Sequence, residues 1–302
     1  MYVLVGAVTG GPGRSSARPA RLNTWQVSFW AVPVRRLVAK RQTPIIGYVY
    51  GSETEMKYIM IIAGNTQHSS DGVAAPDALA FMQREIPKWI GEMNARGVRL
   101  FGRELDLPNT AATVRVRDGE TLVTDGPFAE TKEFMAGFDL LECSGLDEAV
   151  EVTAKSPITR FHRIEVRPFM DGLQVGEKAF AFGHGDDGDS KPYLLTMWMG
   201  GTPAAPVDDQ ALMDEGEAWK QDVEARGLQI LGNALQGPET ARTITARGGE
   251  TLISDGPFTE TKEFIAGIDV ISCADRQQAI DLAAAHPIAR YHAIEVRPFY
   301  IP

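Results

Sequence analysis

The chain repeats itself, and that repeat constrains its fold more than any other feature. Asp125-Gly126-Pro127-Phe128-Ala129-Glu130-Thr131-Lys132-Glu133-Phe134 recurs as Asp255-Gly256-Pro257-Phe258-Thr259-Glu260-Thr261-Lys262-Glu263-Phe264, and Ile164-Glu165-Val166-Arg167-Pro168-Phe169 recurs as Ile294-Glu295-Val296-Arg297-Pro298-Phe299. From Gly97 to Phe169, set against Gly227 to Phe299, the register never slips and about half of the positions are identical. A period this long is a duplicated domain rather than a solenoid, whose units each contact only their neighbours.

Each copy carries the same local signals. A strand opens it, at Tyr58 to Ile62 and Tyr193 to Met199. A helix follows, with Met82, Ile86, Trp89 and Met93 on one face, matched by Leu212, Gly216, Trp219 and Val223. Pro87 is expected to start or kink the main turn of the first helix, and Gly97 and Gly227 stand where a C-terminal cap belongs. Thr113 to Arg117, the pair Asp118-Gly119 and Glu120 to Thr124 read as a two-residue hairpin, with Gly248-Gly249 as the matching turn. A strand from Gly137 to Cys143 (Gly267 to Cys273) leads to a second helix. In copy two that helix opens with Asp275 and, three residues on, Gln278, a capping-box pattern. A last strand is expected over Arg160 to Arg167 and Arg290 to Arg297. This order predicts an α+β fold of two tandem ferredoxin-like modules, each with the hairpin as an embellishment.

Residues 1–55 belong to neither copy. Residues 1–50 hold no Asp or Glu but carry Arg14, Arg18, Arg21, Arg35, Arg36, Lys40 and Arg41. The segment reads as a transit peptide, a basic arm, or sequence upstream of a start at Met56; the last is favoured, because the first strand begins beside Met56. The modules are expected over 56–170 and 192–302, joined by a Gly/Asp-rich linker over 171–191. The 302-residue chain has a formal charge of -10, which argues against general nucleic-acid binding. It contains no apolar run long enough for a membrane span. Two cysteines, Cys143 and Cys273, match neither a disulfide framework nor a zinc spacing, so a cytoplasmic setting is the default.

The Asp-Gly-Pro-Phe and Glu-Thr-Lys-Glu motifs, with the closing Ile-Glu-Val-Arg-Pro, resemble the DGPF family of the YCII-related superfamily. The resemblance covers nearly everything from Met56 to Phe299, twice over. Members are similar to dimeric α/β-barrel proteins, in which two ferredoxin-like sheets face each other and enclose a cleft. The resemblance therefore implies a pseudo-dimeric α/β barrel made by one chain. It also implies a first strand opening on Met56-Lys57-Tyr58. Relatives in the superfamily include a dehydrochlorinase acting on a chlorinated hydroxyquinol and small proteins proposed to use a His-Asp pair. At the position of that Asp, just before a Pro, this chain has Ser156 and His286, so the dyad does not carry over. Many DGPF members are thought to accompany alternative sigma factors.

Four residue pairs could carry chemistry. Asp125 and Asp255 could act as general bases in the cleft, with Lys132 and Lys262 holding an anionic substrate; equally, each Asp could serve an Asx-turn before an extended Gly-Pro step. On the last strand, alternation groups Arg160, His162, Ile164 and Val166 on one face and Phe161, Glu165 and Arg167 on the other. Arg160 and Arg290 with His162 and His292 could bind a carboxylate or enolate, or be a half-buried histidine and structural ion pairs. Glu165 and Arg167, on a buried strand, must be compensated or lie at its end. His68 and His286 lack counterparts and suggest no metal site, and Cys143 and Cys273 read as buried, inert thiols.

Three functional readings follow. One is a cofactor-free enzyme, of lyase, isomerase or dehydrohalogenase type, acting on a small anionic or phenolic molecule in the inter-module cleft. Another is a non-catalytic small-molecule-binding or regulatory protein, linked through the resemblance to an alternative sigma factor. The third is an interaction scaffold, with further self-association of the barrels left open. No metal, nucleic-acid or membrane partner is expected.

Overall fold

A computed structural model describes residues 56–65, 75–128, 133–170, 190–201, 207–258 and 262–300, with 173, 203 and 204. The expected leader, most of the linker, His68 and Lys132 lie outside the described residues. Copy one forms β1 (Met56–Asn65), α1 (Ala75–Ala95), β2 (Arg99–Glu104), β3 (Ala112–Arg117), β4 (Glu120–Asp125), β5 (Glu133–Cys143), α2 (Leu146–Ala154) and β6 (Ile164–Pro168). Copy two forms β7 (Lys191–Gly200), α3 (Asp209–Ala225), β8 (Gln229–Ala234), β9 (Arg242–Arg247), β10 (Glu250–Asp255), β11 (Glu263–Cys273), α4 (Arg276–Ala285), the one-turn α5 (Ile288–Tyr291) and β12 (Ala293–Pro298).

The local signals act as their chemistry dictates. Asp118 and Gly119, at φ 53° and 82°, make the two-residue hairpin turn, and Arg117 pairs with Glu120 across it. Helix α1 ends on a Schellman pair, with the Val98 N–H donating to Met93 O and the Gly97 N–H to Asn94 O. It runs through Pro87 rather than starting there. Asp275 accepts from the Gln278 N–H while Gln278 Oε1 accepts from the Ala274 N–H, a reciprocal cap at the start of α4.

The strands form two antiparallel six-stranded sheets, ordered β10-β9-β6-β1-β5-β2 and β4-β3-β12-β7-β11-β8. The hairpins are exchanged. The β3–β4 hairpin of copy one extends the sheet of copy two through β3 on β12, where Val114 faces Ile294. In return β9–β10 extends the sheet of copy one through β9 on β6, where Ile244 faces Ile164. The hairpin is thus no embellishment: each sheet takes two of its six strands from the other copy.

Alternation along the strands sorts side chains into three layers. Tyr58, Met60, Ile62, Ile164 and Val166 meet Met82, Trp89, Ala149 and Val152 on the helical side of the first sheet. Tyr193, Leu195, Met197, Ile294 and Val296 meet Trp219, Val223, Ile280 and Ala283 on the helical side of the second. Between the sheets, Ile59, Ile61, Phe138 and Leu140 of one copy pack with Leu194, Trp198, Ile268 and Val270 of the other. The sheets are not closed into a barrel. Beyond the ladders they are joined at two isolated bridges, Leu105 to Phe299 and Phe169 to Leu235, and the inter-sheet space holds an apolar core.

The exchange predicts the behaviour of half a molecule. Residues 56–170 alone carry a hairpin whose docking strand is missing and a β6 edge with no hairpin. Expressed by themselves they should dimerise by trading hairpins between two identical chains. Light scattering reads the mass, and a folded monomer would contradict the exchange.

Candidate functional site

The largest concentration of buried charge lies where the two repeated motifs meet. On β12, Ile294 and Val296 face the helices, so Glu295 and Arg297 turn toward the opposite sheet; both are buried. Arg297 Nε donates to Glu295 Oε1 at 2.9 Å, and its Nη1 to Met135 O at 2.7 Å, on β5 of the other copy. Glu295 Oε2 accepts the Phe128 N–H at 3.1 Å, also from the other copy. The arrangement is repeated around Glu165 and Arg167, each 1% exposed and 2.6 Å apart. There Arg167 Nη1 donates to Ile265 O at 2.8 Å and Glu165 Oε2 accepts the Phe258 N–H at 3.2 Å. Met135 and Ile265 sit at register shifts of the β1–β5 and β7–β11 ladders, where a bulge interrupts regular pairing. The compensation expected for these charges is therefore present mid-strand: the Glu and Arg of each strand pair with each other, and their further hydrogen-bond partners come from the opposite copy.

This geometry also explains the Asp-Gly-Pro-Phe motif. Gly126 has φ 98° and Gly256 φ 91°, positive values that disfavour a side chain. The Gly126 N–H donates to Ala111 O at 2.9 Å, and Gly126 O accepts from Thr113 Oγ1 at 3.1 Å, which pins the loop to its own hairpin. Phe128 then gives its N–H to Glu295 and its ring to Trp198, 5.2 Å between centroids. The Asp side chains point away from all this. Asp125 is 87% exposed and paired with Arg276 at 2.8 Å, and Asp255 is 89% exposed and paired with Arg242 at 3.1 Å. The geometry sets neither in a cleft as a general base. Lys262 is likewise exposed.

Arg160, His162, Arg290 and His292 do not line the inter-sheet space either, because they precede the last strands. Residues 157–160 form a 3-10 turn and 288–291 form α5, so strand alternation starts only at Ile164 and Ala293. Arg117 of the exchanged hairpin holds the second of these turns, donating to Ala289 O, Arg290 O and His292 O at 3.0, 3.1 and 3.2 Å. His162 donates through Nδ1 to Ala63 O at 2.9 Å, and burial lowers its pKa to about 4. The pKa of His292 is also lowered, by burial and then by the charge of Arg117.

Arg160 and Arg290 instead each border a cavity on the outer helical face of their own copy, and beyond the two arginines the linings come from different positions of the repeat. The first, about 370 Å³, is lined by Asp77, Ala80, Phe81, Arg84, Arg160 and Phe161. Arg160 stacks over the Phe81 ring at 4.6 Å, and Phe81 meets Phe161 edge to face at 5.9 Å. The second, about 400 Å³, is bordered by Trp219, His286 and Arg290 among others. There Glu215 pairs with Arg290. His286 stands edge-on to Trp219 at 4.6 Å, with its pKa lowered to about 4 by burial.

One further pair of equivalent positions has diverged. In copy one Asp139 is buried against Arg99 at 2.6 Å. In copy two Gln229 replaces the arginine and donates to Asp269 at 2.6 Å, so that the carboxyl has no ion-pair contact among the described residues, and burial raises its pKa to about 7. Both carboxyls press on a glycine, Gly102 or Gly232, where a Cβ would fall 1.7 Å from the oxygen. Cys143 and Cys273 are buried, and burial pushes the Cys273 thiol up to about 12. Among the described residues no group of three His, Cys, Asp or Glu is placed to hold a metal ion, and no helix is long and apolar enough to cross a membrane.

A duplicated α+β protein, its halves interlocked through exchanged hairpins and buried Glu–Arg pairs, is the class these features define. The chain belongs to the YCII-related domain family, which matches residues 56–171 and again residues 194–300. It is 49% identical over 67 residues to an uncharacterized protein of Rhizobium meliloti (strain 1021); the match covers 20% of this chain and 52% of the relative, so the chain spans about half the length of that protein. A solved heme-binding protein from Thermus thermophilus aligns over 81% of this chain and 91% of its own, at 10% identity and a TM-score of 0.34.

Two outcomes test the buried charges. Glu295→Gln leaves Arg297 buried without its counter-charge and should cost about 3 to 5 kcal/mol in urea unfolding; a cost under about 1 kcal/mol, the usual surface value, would remove the pair from the foundations of the fold. Asp269 has its folded pKa raised above the unfolded value of about 3.9. The stability it contributes is complete below about pH 4 and is lost as pH rises toward 7. Asp269→Asn should therefore gain on the wild type across that window and level off above it, and parallel stability curves for the two proteins would contradict the assignment.

Proposed function

We propose that this YCII-related protein binds a small anionic aromatic molecule, a carboxylate or phenolate, at the cavity beside Arg160. The observation that carries the reading is Arg160 itself. It is exposed, stacked on Phe81 at the wall of a cavity of about 370 Å³, and has no carboxylate partner among the described residues. Guanidinium and ring together suit a flat anion, one through charge-assisted hydrogen bonds and the other through stacking. The volume falls within the range of ordinary ligand sites.

The two modules are read as ferredoxin-like units, since β6-β1-β5-β2 and β12-β7-β11-β8 follow the order last-first-third-second for the strands that flank the helices. The pair is read as an open pseudo-dimeric barrel, and the apolar cluster between the sheets supports an interior that is core rather than cleft. That supports binding ahead of lyase, isomerase or dehydrohalogenase chemistry. Asp125 and Asp255 lie on exposed strand ends, and His162 and His292 precede the last strands, so no acid–base pair among them faces a shared cavity. A regulatory role through ligand binding is consistent with this arrangement.

Calorimetric titration with benzoate- and phenolate-type compounds tests the reading. Arg160→Gln should weaken a bound aryl carboxylate roughly ten- to a hundredfold, the loss of a charge-assisted contact, while Arg290→Gln should leave it nearly unchanged. Binding that is indifferent to Arg160→Gln, or absent across the series, would overturn it.

A further inference from the structure

The outer strands of the exchanged hairpins are open edges. Every residue of β4 and of β10 is exposed, unlike any other strand. Leu122, Val123, Leu252 and Ile253 are 50%, 45%, 47% and 53% exposed, and they account for four of the six large apolar side chains on the described surface. Neighbours in a strand point to opposite faces, so each edge shows an aliphatic side chain on both sides. Among the described residues β4 pairs with β3 alone and β10 with β9 alone.

The opposite edges of the same sheets are treated differently. On β2 and β8 the register shifts at Leu100 and Ile230, and each chain continues into a bridge, Leu105 to Phe299 or Leu235 to Phe169. Bulges and covered ends are the usual means of blunting an edge, as are lysine and proline. Strands β4 (ETLVTD) and β10 (ETLISD) have none of these, and their ladders run without a shift.

We infer that each of these edges pairs antiparallel with the matching edge of a second copy of this chain, continuing its sheet across a two-fold axis. Register parity supports that partner. In an antiparallel ladder, directly opposed residues turn their backbone groups the same way, both toward the partner or both away. A strand meeting its own copy therefore sets a residue against itself or against one an even number of positions off. Centred on Leu122, the pairing places Leu122 on Leu122, Thr121 on Val123 and Glu120 on Thr124. Centred on Val123, it places Leu122 on Thr124 and Thr121 on Asp125. In neither register does Glu120 oppose Asp125, so the terminal acids fall on threonine or glycine rather than on each other. Strand β10 repeats the pattern around Leu252 and Ile253. Asp125 and Asp255 are already partnered by Arg276 and Arg242, which lowers the charge at each end of the joint.

Sedimentation velocity of the full chain, from micromolar to several hundred micromolar, is the test, run beside the Leu122→Lys/Leu252→Lys variant. Both leucines lie outside the packed layers, so the variant should keep its circular dichroism and melting temperature. The wild type should sediment as two or more chains and the variant as one. A second variant, Leu122→Cys, locates the joint: the native thiols are buried, so a disulfide-linked dimer under mild oxidation places Leu122 beside its own copy. A wild type that stays a single chain over the whole range, or a lysine variant that assembles as before, would overturn the inference.

Discussion

Two buried ion pairs, Glu165–Arg167 and Glu295–Arg297, hold the rest of the molecule in register. Desolvating four charges is costly, and the cost is offset by the fixed partners that their oxygens and guanidinium groups find. Each pair finds them in the opposite copy: a carbonyl at the bulge of the facing central strand, and the phenylalanine N–H of the loop that follows the exchanged hairpin. Beyond the ion pair itself, neither half supplies these partners. Sheet extension, loop placement and the inter-sheet core all depend on that mutual requirement. The satisfaction is uneven, however. The Glu165–Arg167 pair leaves Glu165 Oε1 and Arg167 Nε without hydrogen bonds, whereas Arg297 Nε is bonded to Glu295. The 2.6 Å separation of Arg167 and Glu165 is therefore an ionic contact with poor hydrogen-bond alignment.

Much of this was legible in the sequence. The repeat set the number of modules, the paired glycines placed the turns, and helical periodicity placed α1 and α3. Glu165 and Arg167 stood out as charges on a strand that had to be buried. The source of their compensation was hidden, because it comes from residues far away in the chain whose pairing depends on which copy receives the hairpin. Nothing local distinguishes a hairpin docked at home from one docked on its twin: Ile164 and Ile294 offer equal surfaces to Val114 and Ile244.

The placement of Arg160 and Arg290 on the last strands failed for a different reason. Ile164, Val166 and their copies alternate so regularly that the pattern runs back to Arg160 without a break. The Pro157 and Pro287 turns delay the strands to Ile164 and Ala293 and leave both arginines on the helical face. The sequence does carry a sign of it, since a proline just after a helix commonly starts a new turn. The divergence between copies was also visible as single letters, Arg99 against Gln229 and Ser156 against His286. Their consequences depend on burial, which composition does not report.

The whole arrangement rests on the hairpins having changed places, and disulfide trapping reads that most directly. Opposed residues in an antiparallel pair hold their Cβ atoms about 4.5 to 5.5 Å apart, close enough for a cross-link after small adjustment. Val114→Cys/Ile294→Cys joins the hairpin of copy one to the last strand of copy two, which the structure places directly opposite. Val114→Cys/Ile164→Cys joins it to the last strand of its own copy. Refolded under oxidising conditions, the first variant should close an intramolecular disulfide and the second should keep free thiols. Closure of the second pair in place of the first would mean that each hairpin stays with its own module.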